Sequence, residues 1–299
     1  MPRIIYRILK NFKFLPNATV LKLRYKYYTG KKLHLKNPIE FNEKIQWLKL
    51  YYHVPLLTQL ACKYESRAYV KEKIGAQYLN ELYGVYDAPD KVEFDKFPEQ
   101  FVLKGVHGSS LNIIVKDKAT LDVADVKLKM QKWMQHCQYS RVGYEWAYKN
   151  IKPRIICEKY LEEPGKDAIS DYKFFCFNGV PKFIQIDIDR SAEHMRCYYD
   201  MEWKKLPFKS IDMAFLEEDV VKPSNFEEMK KFAIILADKL PFVRVDFYAI
   251  KGVTYYGELT FYPKDCKKEF TPEKYNKIIG DYLELPKIPK GQKVITSIS

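Results

Sequence analysis

Phe242-Val243-Arg244-Val245-Asp246-Phe247-Tyr248-Ala249-Ile250, Lys251-Gly252, then Val253-Thr254-Tyr255-Tyr256-Gly257-Glu258-Leu259-Thr260-Phe261 is the stretch on which the fold turns. Its alternation predicts two strands, 242–250 and 253–261, that turn at Gly252. Arg244, Asp246 and Tyr248 then share one face of the first strand, while Val243, Val245 and Phe247 share the other. Glu258 and Thr260 share a face of the second. Asp246 and Glu258 sit across from each other when the connection has an odd number of residues, as in a three-residue loop 251–253. A two-residue loop puts them on opposite faces. Two adjacent carboxylates repel and want a cation between them, and hard oxygen ligands suit magnesium beside nucleotide phosphates. Arg244 on the same face suits a phosphate or a developing negative charge. A solvated polar face, with Arg244 paired to an acid, fits the same pattern and is commoner.

Working outward, Asn178-Gly179 is a hairpin signal between strands at 172–177 and 182–188. In the second of these, Gln185, Asp187 and Asp189 lie opposite the core-facing isoleucines, and a solvated face is the default expectation. A helix capped by Ser224 or Asn225 carries Phe226, Met229, Phe232, Ala233 and Leu236 on one side. Strands at 101–103 and 112–115 flank a Gly/Ser loop, His107-Gly108-Ser109-Ser110, preceded by Lys104. Backbone N–H groups of such a loop can cradle phosphate, although an ordinary hairpin is the commoner explanation and His107 reads better as a loop cap. Asp122 caps a helix whose Val123, Val126, Met130, Trp133, Met134 and Cys137 share a face, and a strand at 155–161 follows. This β-β-α-β order predicts a small two-layer subdomain. The first third reads helical. Asn37-Pro38-Ile39-Glu40 resembles an N-cap, a Pro at the first helical position and an acid at the third. A second helix is expected from Leu57 to Lys73, stopping at Gly75. The basic tail after Pro286 is expected to be loosely held.

The chain has 299 residues and a formal net charge of +13, which favours anionic partners: nucleic acid, an acidic membrane, nucleotide phosphates or an acidic glycan. No acid precedes Glu40, whereas Arg3, Arg7, Lys10 and Lys13 interleave with Ile4, Ile5, Tyr6, Ile8, Leu9, Phe12 and Phe14. Such a basic amphipathic segment suits an anionic membrane surface or a helix docked on the body. No apolar run is long enough to span a bilayer, and Lys10 and Lys13 spoil a signal peptide. Six scattered cysteines without a CxxC pair read as reduced, mostly buried thiols of a cytoplasmic protein rather than zinc ligands.

Taken together, six runs resemble the TupA-like ATP-grasp family, named for a protein of teichuronopeptide synthesis. They are Asn37 to Lys44, Phe101 to Lys104 with His107-Gly108-Ser109, Arg154 to Glu158, Asp171 to Gly179, Arg244-Val245-Asp246, and Gly257 to Pro263. The resemblance implies an α+β ATP-grasp fold, two α+β subdomains clasping ATP, preceded by a helical N-terminal region. The expected divisions are a basic helical region 1–95, a small subdomain 96–163 and a larger one 164–299. ATP and Mg2+ are the implied cofactors. Lys104 and the loop His107, Gly108, Ser109 and Ser110 would meet the phosphates. Glu158, Lys159 and Leu161 would form the adenine hinge, with Asp171 and Lys173 as nucleotide contacts on the next strand. Asp246 and Glu258 would hold the metal, with Arg244 beside the transferred phosphoryl group. Lys63 and Arg67 match an upstream helix of the family. Asp189, Arg190, Tyr262 and Lys264 would face the substrate, Arg190 being suited to a carboxylate.

Two departures stand out. Thr260 replaces the Asn usual in general ATP-grasp ligases, as is usual in this branch. Lys264-Asp265-Cys266-Lys267-Lys268 replaces a small Gly-containing turn, giving a bulkier, more basic substrate mouth or a weakened enzyme. The implied activity joins a carboxylate to an amine through an acyl phosphate, on a uronic acid or amino acid of a bacterial surface polysaccharide. The implied setting is the cytoplasm, with peripheral membrane contact through the basic N-terminus and no nucleic acid partner. A sugar-nucleotide glycosyltransferase using Asp187 and Asp189 as an Asp-x-Asp motif is the alternative enzyme. A non-catalytic basic module for nucleic acid or membrane is the alternative without chemistry.

Overall fold

Helices come first along the chain. In the computed structural model, which describes residues 15–163, 169–190 and 193–298, α1 (Asn17–Thr29), α2 (Phe41–Tyr51), α3 (Leu56–Ala61) and α4 (Ser66–Lys73) precede β1 (Leu82–Tyr86). Next come β2 (Phe101–Gly105), β3 (Asn112–Val115), α5 (Val123–Met134), α6 (Gln138–Val142) and β4 (Ile155–Lys159). The remainder carries β5 (Asp171–Phe177), β6 (Val180–Arg190), β7 (Glu193–Asp200), β8 (Lys209–Ser210), β9 (Ala214–Phe215), α7 (Phe226–Ala237), β10 (Phe242–Ile250), β11 (Val253–Thr260), β12 (Phe270–Thr271) and α8 (Lys274–Asp281). The basic segment at residues 3–13 lies outside the described residues.

Two helix boundaries differ from expectation. Asn37-Pro38 does not open α2; Glu40 does, in a capping box with Glu43. The Glu43 carboxylate also accepts the N–H groups of His34, Ile39 and Glu40, so an acid one turn inside the helix organises the approach that Pro38 seemed to mark. The single helix expected from Leu57 to Lys73 is two, α3 and α4, broken at residues 62–65. That break carries Lys63, whose N–H donates to the Val106 carbonyl, so the turn is tied to the loop after β2.

The small sheet has the order β1-β4-β2-β3, antiparallel throughout. α5, N-capped by the Asp122 carboxylate, buries Val126 and Met130 against Phe101, Leu103, Ile155 and Cys157. Val123, expected on that buried face, is exposed. The edge strand β1 comes from the region expected to be helical, so this sheet takes a strand from before residue 96.

The large sheet has the order β11-β10-β5-β6-β7-β9, antiparallel except for β7 with β9. Its one face packs Phe174, Val243, Val245 and Phe247 under Phe226, Met229, Ala233 and Leu236 of α7. The hairpin at Asn178-Gly179 takes φ of 48° and 81°, as a two-residue turn matching strand twist requires. A Cβ at Gly179 would lie 2.1 Å from the Asp238 carbonyl oxygen, so only glycine fits. The C-terminal tail is anchored rather than loose: Ile295 is buried and bonds through its backbone to Tyr51 and His53.

The segment Pro263–Cys266 is held by charge. Lys264, Asp265 and Cys266 all take positive φ, a costly backbone for residues with a Cβ. Asp265 is buried and bonds Arg24 Nη2 of α1 at 2.6 Å and Lys49 Nζ of α2, while its carbonyl accepts from Gln46 and Lys49. Beside this cluster Glu145 is buried and accepts from Gln138 Nε2 at 2.8 Å. Burial, opposed by Lys49 and reinforced by Asp265, pushes the Glu145 carboxyl up to about 7. A carboxyl raised on folding binds its proton more tightly in the folded state. Its stabilising contribution is therefore complete below about pH 4.5 and is lost as the pH rises through 7. Glu145→Gln should accordingly flatten the decline in stability between pH 5 and 7, measured by urea unfolding of both proteins across that range.

Candidate active site

Asp246 and Glu258 are directly paired across β10 and β11, yet the turn between those strands is the two-residue Lys251-Gly252, with φ of 49° and 78°. By alternation alone that turn would put the two acids on opposite faces. A bulge at Gly257 restores the pairing: Phe247 pairs with Tyr256, then Asp246 pairs with Glu258, skipping one residue. A Cβ at Gly257 would lie 3.0 Å from the Asp246 carbonyl oxygen, tighter than ordinary contact, so a glycine suits the bulge. The register carries on across the sheet. Asp246 pairs with Lys173 and Lys173 with Gln185, while Tyr248 pairs with Asp171, Asp171 with Asp187 and Asp187 with Arg196. Pleating therefore brings acids and bases from four further positions onto the face that carries Asp246.

This face and the open face of the small sheet enclose a cavity of about 880 Å³, in the range of small-molecule and cofactor sites. Lys104, Ser109, Ser110, Glu158, Lys159 and Leu161 line it from one side. Asp171, Lys173, Arg244, Asp246 and Glu258 line it from the other, and Lys63, in the break between α3 and α4, and Arg67, on α4, complete it. Four expected residues, His107, Gly108, Tyr262 and Lys264, do not line it. His107 is buried behind the loop with Nε2 bonded to the Trp133 carbonyl at 2.8 Å, and burial lowers its pKa, so the neutral ring acts as a loop fastener. Tyr262 is buried, its hydroxyl accepting from the Ala147 N–H. The Gly108 carbonyl accepts from Lys63 Nζ at 3.3 Å. Lys264 lies outside the large cavity and pairs with Asp212 at 3.0 Å. The side chains of Asp189 and Arg190 lie outside the described residues.

Within the cavity the charges are tightly matched. Lys104 Nζ bonds Glu158 Oε2 at 2.7 Å, and Arg67 Nη1 bonds the other oxygen at 2.9 Å. The Glu158 side chain thus orients two cations. The Lys159 N–H donates to the Glu81 carbonyl and its carbonyl accepts from Asn80 Nδ2, so both main-chain groups of Lys159 are occupied. Lys63 Nζ reaches Glu258 Oε2 at 2.9 Å, and Thr260 Oγ1 donates to Oε1 at 2.9 Å. Lys63 first, then Arg244, outweigh burial and hold the Glu258 carboxyl well below its usual range. Arg244 donates from Nε to Asp246 Oδ1 at 2.7 Å and from Nη2 to Oδ2 at 2.5 Å. Burial, reinforced by Asp171 and Glu258 and opposed by Arg244, nevertheless raises Asp246. A carboxylate raised by burial and neighbouring acids is one that a further cation would relieve.

Asp187 is not on a solvated face. It is buried and accepts from Arg196 Nε at 2.6 Å, Arg196 Nη2 at 3.0 Å and Lys173 Nζ at 2.5 Å, as well as from Gln185. Arg196 and Lys173 overcome burial and hold its carboxyl well below the usual range. The carboxylate offered to an Asp-x-Asp metal site is therefore already committed. Among the described residues, five cysteines are buried free thiols, Cys137 is an exposed one, and no three His, Cys, Asp or Glu side chains form a metal cage.

Asp246 and Glu258 fit a hard divalent ion: they are adjacent oxygen donors, and close by Asp171 Oδ1 is buried without a hydrogen-bond partner. The two α+β lobes thus meet across the large cavity, with Lys104 on one wall and the paired acids on the other. The family model described as TupA-like ATPgrasp matches residues 43–284, and the chain belongs to that family. Comparison with curated protein sequences finds no match. Among solved structures, D-alanine–D-alanine ligase from Bacillus anthracis has a TM-score of 0.44 at 18% identity, covering 74% of this chain and 64% of that one. The Helicobacter pylori D-alanine–D-alanine ligase has a TM-score of 0.40 at 16% identity, covering 76% and 61%. The ADP complex of N5-carboxyaminoimidazole ribonucleotide synthetase has 0.43 at 12%, covering 72% and 49%. The chain thus spans less than two thirds of the length of each.

Proposed function

We propose that the protein joins a carboxylic acid to an amine at the expense of ATP, and that the acid is a uronic acid or amino acid of a bacterial surface polysaccharide. The observation that carries this reading is the register pairing of Asp246 with Glu258, with Arg244 between them and Lys104 on the facing wall. ATP lies in the large cavity. Lys104 and the N–H groups around Ser109 and Ser110 meet its phosphates, and the adenine rests against the end of β4 near Leu161. Asp246 and Glu258 hold magnesium, which, when bound, neutralises phosphate charge. Thr260 donates its hydroxyl to Glu258 and so orients that carboxylate.

The chemistry assigned to these residues is a balanced exchange. An acid oxygen attacks the γ-phosphorus, the bond to the bridging oxygen breaks, and ADP leaves with the electron pair. Arg244 stabilises the charge of the phosphoryl group in flight. The amine then attacks the acyl carbon, the carbon–oxygen bond to phosphate breaks, and the nitrogen loses a proton. With an acid labelled with 18O in both carboxylate oxygens, one 18O should appear in the phosphate for each ADP formed. ADP formed with unlabelled phosphate would refute the acyl phosphate. The +13 net charge and the basic N-terminal segment favour work in the cytoplasm beside an anionic membrane on a lipid-linked glycan. No helix among the described residues is long and apolar enough to cross a membrane.

A further inference from the structure

Behind the Gly/Ser loop a buried amide joins three groups. Gln138, the first residue of α6, donates from Nε2 to Glu145 Oε2 at 2.8 Å, and the same nitrogen lies 3.5 Å from Ser109 Oγ. Its Oε1 faces His136 Nε2 at 3.0 Å. Gln138 and Glu145 are both buried and line no part of the large cavity, whereas Ser109 does. The fit is close. A Cβ at Gly108 would lie 3.3 Å from both Gln138 Oε1 and the His136 ring, so the loop backbone rests directly on this pair.

The charge of Glu145 decides which way the amide points. An ionised carboxylate can only accept, so it holds Nε2 toward itself, and Oε1 then takes a proton from His136. With Nε2 on its side, Ser109 Oγ is the acceptor toward Gln138 and keeps its own O–H free to donate into the cavity. A protonated Glu145 has an O–H to give and no longer fixes the amide. Turned over, the amide presents Oε1 to both Glu145 and Ser109 and Nε2 to an unprotonated His136 nitrogen. The Ser109 hydroxyl is then drawn back toward Gln138. Burial, opposed by Lys49, pushes the Glu145 carboxyl up to about 7, so both states are reached near neutral pH. Facing Glu145 are Lys49 of α2, Arg24 of α1, Asp265, and Tyr148, Tyr262 and Cys266, whose protons burial retains. His136 and, beside it, His107 face the other end of the amide.

We propose that Glu145 and Gln138 are positioning residues for the phosphate loop: ionised Glu145 turns the Gln138 amide so that Ser109 donates to a nucleotide phosphate, and a proton on Glu145 withdraws that donor. Nucleotide affinity is thereby tied to pH by two side chains that do not line the nucleotide cavity. This rests on the reading of the large cavity as the ATP site.

The test is calorimetric titration of the full chain with a non-hydrolysable ATP analogue and magnesium between pH 6 and pH 8. Wild type, Glu145→Gln and Ser109→Ala are compared, each in buffers of different ionisation enthalpy so that proton release is counted. The titration of the ligand itself is common to all three, so differences between them report the protein. Wild-type binding should tighten with rising pH by about fivefold more than in either variant, the scale of one hydrogen bond. It should also release, near pH 7, a fraction of a proton that both variants retain. Glutamine at 145 can accept or donate, as a protonated carboxyl does, so Glu145→Gln should keep the weaker, low-pH affinity throughout. Ser109 is exposed, so Ser109→Ala reads the same contact without disturbing a buried site. Equal pH slopes and proton release in wild type and Glu145→Gln, or a slope that survives Ser109→Ala, would overturn the relay and leave the nucleotide site standing. No binding of the analogue at any pH would instead remove the nucleotide reading, and the relay with it.

Discussion

Glu258→Gln is expected to leave the protein folded and to abolish the rise in melting temperature that ATP with magnesium produces in the wild type. The wild-type shift follows from mass action: a ligand at one hundred times its Kd stabilises the folded state by about 2.7 kcal/mol. Glutamine keeps the size of Glu258, its one carbonyl oxygen can accept from Thr260 or take the Lys63 position but not both, and the site is about one third exposed, so water reaches the partner it leaves behind. What it loses is the charge that, with Asp246, would hold the divalent ion. Turnover should fall by about 10²–10³, the scale of removing one group that stabilises transition-state charge. A variant that keeps the full magnesium-dependent shift would show that Glu258 is not a metal ligand.

Asp265→Ala is expected to have the largest effect on stability. Asp265 and its partners Lys49 and Arg24 have side-chain exposures of 4%, 0% and 9%, so deleting the acid takes away the carboxylate that two buried cations share. Breaking a buried pair in this way costs about 3–5 kcal/mol. The loss should appear as a lower urea midpoint with little change in slope. It should be partly recovered when Lys49→Met is added, because one of the two cations that lost the carboxylate is then removed. Lack of recovery would mean that the positive-φ turn at 264–266, rather than the charge cluster, sets the stability of this segment.

Much of the fold was legible because its signals are local. Asn178-Gly179 forces a turn, the apolar alternation of 242–261 gives the hairpin, and Asp122 caps α5. What was not legible depends on contacts distant in sequence. Residues 82–86 show no alternation and are half-buried throughout, and they become a strand only by pairing with β4. Asp265 reads as part of a basic insertion, and only the return of α1 and α2 from over two hundred residues away makes it a buried anchor. The site divides the same way. Asp246 and Glu258 could be nominated from strand alternation and family resemblance, but the two-residue turn alone predicts opposite faces, and the bulge at Gly257 reverses that. Arg196, missed altogether, sits in a strand whose charge has no pattern of its own, and is found only through its register with Asp187.

The most direct test of the central claim is calorimetric titration of the wild-type protein with a non-hydrolysable ATP analogue and, separately, with UDP-glucose, each with and without magnesium. The account predicts saturable binding of the ATP analogue that tightens with magnesium, and no binding of the sugar nucleotide. Magnesium-dependent binding of UDP-glucose with none of the ATP analogue would contradict it.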